Sequence, residues 1–256
     1  MITVWADGQD ISQIEGVMIT DRHIQAVPKI DISALDLARA NGMKRVFKRY
    51  GGRKFNILGH IITPNREAAE AARNRLLSVL MNADQTRIIT SYAGAERTLY
   101  AECDNPIINE FNGGHATFDL GFTAYNPFIY DQTETTGYSL AGITASLRKD
   151  QFPVNGTAPA AMKITVTINS LTASGYQEIT VVDGVTGLGI TVSREWSASD
   201  ILVIDSENGT VTVNGVDVDN AGTFIILKPG VRSVQYTDTF TARNVNIEVK
   251  YYARYF

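Results

Sequence analysis

The residues able to act as acids, bases, nucleophiles or metal ligands are scattered along this 256-residue sequence. The three histidines, His23, His60 and His115, are far apart, and no His-x-His or HExxH pattern joins them into a metal site. Glu178 and Glu195 could in principle form a glycosidase pair, but scattered carboxylates on strands usually face solvent. The sequence therefore predicts no catalytic residues, no bound metal and no cofactor.

Basic charge is concentrated in one segment, Lys44–Lys54, where aromatic residues interrupt a basic run that contains no acid. Basic and aromatic side chains together can bind single-stranded nucleic acid. Phosphate binding usually needs a broad basic surface, which this near-neutral half of the chain does not offer. A solvated hairpin that turns at Tyr50–Arg53 is the alternative interpretation.

The elements around this segment predict a first domain over residues 1–130. Thr63 and Pro64 provide an N-cap and a first-turn proline for a helix over Arg66–Met81. Its apolar stripe should pack on an antiparallel sheet or small barrel; the stripe consists of Ala69, Ala72, Leu76 and Leu80. Phe118, Leu120 and Phe122 alternate with smaller or polar residues, as in a strand that buries one face, and Asn126-Pro127 stops this strand. A Thr-rich stretch without apolar period follows, so residues 131–153 are predicted to be a linker and connecting segment.

Residues 154–256 are predicted to form an all-β domain. Short strand-like runs alternate with turn dipeptides such as Asn208-Gly209 and Asn214-Gly215. This density of short strands is typical of a β-sandwich of the jelly-roll type. The predicted fold class is therefore mainly β, with one helix in the first domain.

Composition limits the possible partners and compartment. The net charge of −4 is too mild to indicate nucleic acid or an anionic membrane as a partner, and no apolar run approaches the length of a membrane span. The N-terminal sequence lacks the pattern of a signal peptide, so we expect folding in a cytosol. The single cysteine, Cys103, excludes an internal disulfide and is expected to be a buried small residue.

Several segments, in order, resemble siphophage distal tail proteins. The aromatic strand ending Asn-Pro-Phe-Ile-Tyr at residue 130 matches the end of that family's N-terminal domain. The second half contains a similar Asn-x-Gly/Thr-x-Pro entry at Asn155–Pro159, a hydrophobic strand ending in Asp205, and a Phe-x-x-Leu-x-Pro-Gly turn from Phe224 to Gly230. The Tyr-rich, basic end over Lys250–Phe256 is also similar.

The resemblance implies a structural virion protein at the tip of a long non-contractile phage tail. Such proteins form a ring, usually hexameric, between the tail-tube protein and the tail-associated hub or lysin protein. Their N-terminal domain is a split β-barrel with a helix, and their C-terminal sandwich is galectin-like. In a ring, the basic segment would contact acids of a neighbouring subunit or of the tube through four candidate interface residues, Lys44, Arg45, Lys48 and Arg49.

The alternative function is a carbohydrate- or receptor-binding tail protein that acts through the C-terminal sandwich. Trp196 is the candidate stacking platform for a sugar ring, because it lies in a polar segment and aromatic faces contact sugars. The second half has no insertion large enough for an additional carbohydrate-binding module. We therefore expect Trp196 to contribute mainly to local packing.

Overall fold

The computed structural model describes residues 2–22, 24, 27–36, 43–92, 94–172 and 175–256. The chain divides into two compact units, one formed by residues 1–130 with Phe256 and the other by Asp131–Tyr255. Each unit has its own hydrophobic core.

The first unit is an antiparallel β structure with a helix. A single-turn 3-10 helix spans Ile11–Gln13, and the α-helix, α1, spans Arg66–Asn82. The strands are β1 (Ile2–Ala6), β2 (Gln9–Asp10), β3 (Val17–Arg22), β4 (Ile30–Asp36), β5 (Met43–Tyr50), β6 (Arg53–Ile62), β7 (Thr86–Tyr92), β8 (Ala95–Ile108), β9 (His115–Ala124) and β10 (Ile129–Asp131).

The principal sheet of this unit runs in the order β2-β1-β7-β8-β9-β6-β3. The long strand β8 pairs with β7 through its first half and with β9 through its second half. A register shift between Cys103 and Asn105 marks the change of partner, and such bulges bend a strand. The sequence pattern predicts two separate strands here, over Arg97–Cys103 and Ile107–Phe111, but the chain continues through the bulge as one strand.

Alternation along β6 and β9 builds the core of the first unit. Phe118, Leu120 and Phe122 are buried on one face of β9, as the sequence predicted. Phe55 on β6 lies in register with Phe122, and their rings stack with centroids 5.5 Å apart. Period-2 alternation therefore places one face of both strands in the same core.

Helix α1 covers this core with its apolar stripe. Its four predicted core residues are all buried, at spacings of three and four residues that keep them on one face. The cap differs from the prediction. Asn65, and not Thr63, is the N-cap, since its side-chain oxygen accepts a hydrogen bond of 2.9 Å from the backbone N–H of Ala68. The helix therefore begins directly after Asn65.

The second unit is a β-sandwich. One sheet has the order β11-β23-β14-β17-β18-β19 and the other β12-β22-β15-β16-β20. The strands are β11 (Thr135–Ile143), β12 (Leu147–Val154), β13 (Ala160–Ala161), β14 (Lys163–Thr172), β15 (Gln177–Asp183), β16 (Gly189–Arg194), β17 (Ile201–Asp205), β18 (Thr210–Val213), β19 (Val216–Asp217), β20 (Ala221–Gly222), β21 (Ile226–Leu227), β22 (Gly230–Asp238), β23 (Ala242–Tyr251) and β24 (Arg254–Tyr255).

The two sheets share one core because each central strand alternates. On β14, Ile164, Val166 and Ile168 are fully buried while the residues between them are not. Val181 on β15 and Val192 on β16 enter the same core from the opposite sheet. The predicted fold class is confirmed: the described chain is mainly β, with one α-helix in the first unit and a sandwich in the second.

Residues 131–153, predicted as a linker and connecting segment, contain strand β11 and all but the last residue of strand β12. Strand β11 pairs with β23 and strand β12 pairs with β22. Each is the outermost strand of its sheet. An edge strand contacts a partner on one side only, and much of β11 stays accessible to solvent. The apolar period expected of a buried strand is therefore weak in this segment.

Candidate assembly surface

Strands β4 and β5 form a two-stranded ribbon that carries the basic segment. Among the described residues they pair with each other and with no other strand. Their register places Ile30 opposite Tyr50 and Asp36 opposite Met43, with a shift between Ser33 and Ala34. Strand β5 pairs with β4, and Gly51-Gly52 only connects β5 to β6. The predicted turn at Tyr50–Arg53 therefore does not close a hairpin.

The root of the ribbon is attached to the first unit. The backbone N–H of Gly51 donates a hydrogen bond of 2.7 Å to the carbonyl of Lys29, which extends the β4–β5 ladder by one pair. The Tyr50 ring packs edge-on against Phe128, with centroids 5.7 Å apart. This side-chain contact attaches the end of the ribbon to the rest of the first unit.

Charge is unequal between the two strands of the ribbon. All four predicted interface residues lie on β5, whereas β4 carries two aspartates. Only Arg49 has an acidic partner in register, Asp31; the other pairs in the register are Lys48 with Ile32, Arg45 with Ala34, and Lys44 with Leu35. The structure thus brings the four basic residues together on one strand.

Asp31 forms two surface ion pairs at the base of the ribbon. Its carboxylate lies 3.2 Å from Nζ of Lys29 and 3.4 Å from Nε of Arg49, whose side chain is 72% exposed. The hydrogen bond from Lys29, followed by the contact with Arg49, lowers the pKa of Asp31. Exposed pairs of this kind stabilise a fold only weakly. They leave Arg49 accessible to a partner.

The ribbon and the segment leading into it also expose large apolar side chains. Val27, Ile30 and Ile32 are 69%, 42% and 61% exposed. A two-stranded ribbon on its own is marginally stable in water, and clustered apolar groups at a surface are typical of interaction sites. These features, together with the basic strand, make the ribbon the candidate assembly surface.

Trp196 lies in the sandwich core and not on a surface where a sugar could stack. Its side chain is 7% exposed, and its indole N–H donates a hydrogen bond of 2.9 Å to the backbone carbonyl of Gln177. The guanidinium carbon of Arg194 lies 5.4 Å from the ring centroid. A stacking platform needs an open aromatic face. The burial of Trp196 agrees instead with the expectation that this residue contributes mainly to local packing.

Two of the histidines that are far apart in sequence meet on the first unit. Nδ1 of His60 lies 3.1 Å from Nε2 of His115, and the ring centroids are 5.2 Å apart. The third, His23, lies outside the described residues. Only the register of β6 against β9 reveals this pair, and no local motif in the sequence indicates it.

Across the part of the chain that the structure describes, no cluster of three or more His, Cys, Asp or Glu side chains is arranged to hold a metal ion. In the same residues no helix is both long enough and apolar enough to cross a membrane. Cys103 is half-buried against the first core, and burial, reinforced by the charge of Asp104, raises the pKa of its thiol to about 11.

The sequence profile of the family described as "Siphovirus-type tail component, C-terminal domain" matches residues 155–255, which is nearly all of the second unit after its two edge strands. The distal tail protein of Bacillus phage SPP1 is 24% identical over 238 residues, covering 91% of this chain and 90% of the relative. The chain is thus similar to a siphophage distal tail protein over nearly its whole length. The family resemblance inferred from the motifs is thereby confirmed.

The fold agrees with this relationship. The crystal structure of the SPP1 Dit protein, described as a paradigm of the hub adsorption apparatus in phages that infect Gram-positive bacteria, matches with a TM-score of 0.69. Identity in that comparison is 17%, with all of both chains covered. A chain from the baseplate of phage P2 in its Ca-activated conformation matches with a TM-score of 0.47 and 8% identity over 99% of this chain. The SPP1 match shows that this distal tail protein relative has the same two-domain β architecture.

Proposed function

We propose that this chain is a ring-forming adaptor at the distal end of a long non-contractile phage tail, where it joins the tail tube to the tail-tip hub. Similarity to a distal tail protein over 91% of the chain is the observation that carries this proposal. The proposed role is assembly in the virion, with the ring a homo-oligomer that we expect to be hexameric.

The β4–β5 ribbon is the proposed contact between subunits or with the tube. A closed ring requires one heterologous interface that repeats around the axis. The exposed side chains of Ile30 and Ile32 supply apolar area, and the basic strand β5 supplies charge. Complementary charge fixes register and partner choice more than it raises affinity. Burial against a neighbour would also stabilise a ribbon that has only two strands.

A charge-reversal variant tests this role. The variant replaces the four interface residues of β5 by glutamate, and a matched control reverses four exposed basic residues elsewhere, Arg66, Arg75, Lys163 and Lys228. The unmodified protein should form rings in electron microscopy and light scattering, alone or with the tail-tube and hub proteins of its phage. The ribbon variant should keep its circular dichroism and melting temperature but fail to assemble. The control should assemble.

Two outcomes would contradict different parts of the proposal. A protein that stays monomeric in the presence of both tail partners would refute the adaptor function itself. If the ribbon variant assembles normally, and association does not weaken between about 0.1 M and 1 M salt, where screening becomes strong, then the basic strand is only a solvated face. Rings would in that case depend on another surface.

A further inference from the structure

The backbone of strands β6 and β9 places His60 and His115 next to each other. Strand β6 lies between β3 and β9, with His60 opposite Thr117 and Ile62 opposite His115. The two histidines are therefore diagonal neighbours on one face of a paired sheet. His115 is exposed and His60 half-buried, so an ion from solvent can reach the pair.

The turn before His115 fixes the second ligand. The backbones of Asn112 and His115 exchange two hydrogen bonds of 2.9 and 3.1 Å. The carbonyl of Gly114 accepts a hydrogen bond of 2.8 Å from the N–H of Thr63, and a Cβ at Gly114 would lie 2.0 Å from the Thr63 carbonyl oxygen. The glycine is thus required for this close approach. Ligands on such supported backbone give a preorganised site.

The separation of the two ring nitrogens matches the spacing of two ligands on one metal ion. A metal–nitrogen bond of about 2.0–2.1 Å places two nitrogens about 3.3–3.4 Å apart at a tetrahedral angle and about 2.8–3.0 Å apart at a right angle. The observed distance between Nδ1 of His60 and Nε2 of His115, 3.1 Å, lies between these values. We propose that His60 and His115 bind a divalent transition-metal ion across strands β6 and β9.

The ligand chemistry selects the class of ion. Neutral imidazole suits Zn²⁺, Cu²⁺ and Ni²⁺, whereas Ca²⁺ and Mg²⁺ require oxygen ligands. Among the described residues, the pair has no third His, Cys, Asp or Glu ligand to complete a cluster. Water fills the remaining positions of the ion. Affinity follows the order in which Cu²⁺ binds more tightly than Zn²⁺.

Metal binding would act on the first unit alone. The bound ion links β6 to β9. An ion that binds the folded state but not the unfolded state raises the apparent stability of the fold. Neither histidine lies on the β4–β5 ribbon, and metal binding can be measured on the protein in either oligomeric state. The metal experiment therefore has the same meaning whether or not the protein forms rings.

The test uses the tag-free full chain and one substitution at each of its three histidines. Calorimetric titration with Zn²⁺ should show one saturable site per subunit. His60→Asn and His115→Asn should each weaken binding at least tenfold, because each removes one of two protein ligands. The matched control, His23→Asn, should leave the affinity unchanged. Circular dichroism verifies the fold of each variant.

A spectroscopic measurement on the unsubstituted protein keeps the test independent of variant folding. The electron paramagnetic resonance spectrum of bound Cu²⁺ should show coupling to two imidazole nitrogens. A spectrum with no coupled nitrogen or only one, or the absence of saturable Zn²⁺ binding, would overturn the proposal. Equal weakening by His23→Asn, or unchanged binding in both pair variants, would place the ion elsewhere and would also overturn it.

Discussion

Removing one partner of the ion pair between Asp238 and Arg243 should destabilise the sandwich strongly. The Asp238 side chain is fully buried and that of Arg243 is 10% exposed, with Nε of the arginine 2.7 Å from Oδ1 of the aspartate. The same Oδ1 accepts a hydrogen bond of 2.8 Å from the N–H of Phe240. Arg243 also donates to the carbonyls of Phe240 and Thr144. The pair therefore joins three segments of the chain.

Arg243→Ala would leave the Asp238 carboxylate buried without its counter-charge. Removing one partner of a buried ion pair costs about 3–5 kcal/mol, which is a large part of a typical domain stability of about 5–15 kcal/mol. Adding Asp238→Asn should recover much of this loss, because the amide oxygen can still accept from Phe240 and no charge remains.

Urea denaturation measures this effect on the second unit. In a Trp5→Phe background, tryptophan fluorescence comes from Trp196 alone, which is buried in the sandwich. The matched control is Lys250→Ala on the same strand, because the pair between Lys250 and Glu248 is partly exposed at 35% and 38%. The control should lose little stability, because exposed ion pairs contribute weakly to a fold. If Arg243→Ala lowers the free energy of unfolding no more than this control does, the buried Asp238 carboxylate does not depend on Arg243 as its counter-charge.

Three further predictions concern other sites. Leu76→Ala should destabilise the first unit by about 2–5 kcal/mol, because Leu76 is fully buried; a thermal midpoint equal to that of the unsubstituted protein would contradict this. The raised pKa of Cys103, about 11, keeps the thiol protonated at neutral pH, so iodoacetamide should react slowly until denaturant is added. Burial opposes ionisation of Asp150, but hydrogen bonds from Arg148 and Tyr138 outweigh it and lower its pKa. Its contribution to stability is present above about pH 4 and is lost as the pH falls through the lowered value, so stability in Asp150→Asn should vary less with acid.

Much of the fold could be predicted from periodicity. The stripe of helix α1 and the alternation of Phe118, Leu120 and Phe122 follow from burial of one face, and that pattern is recorded locally in the sequence. The predicted N-cap lies two residues before the observed one, because Thr63 and Asn65 are both good N-cap residues. Only the hydrogen bond to Ala68 distinguishes them.

The candidate sites depended on information that is not local. The His60–His115 contact joins residues 55 positions apart, and it exists only in one register of β6 against β9. The sequence predicted that Trp196 contributes mainly to local packing, but it could not identify the carbonyl of Gln177 on β15 as the acceptor that satisfies the buried indole N–H. The basic strand was evident from composition, but its pairing with β4 was not.

The two edge strands of the sandwich delay its folding during synthesis, because they pair with strands that are made last. Strands β11 and β12 leave the ribosome first among the strands of the second unit, but their partners, β23 and β22, end only at Tyr251 and Asp238. Pairing between strands so far apart in sequence is slow, because the long intervening segment must first be closed into a loop. The nascent second unit must therefore wait, with both sheet edges unpaired, while the first unit has already been completely translated. During this interval the unpaired edges and apolar faces of the newly made sandwich strands are open to aggregation, and we expect chaperones to protect them.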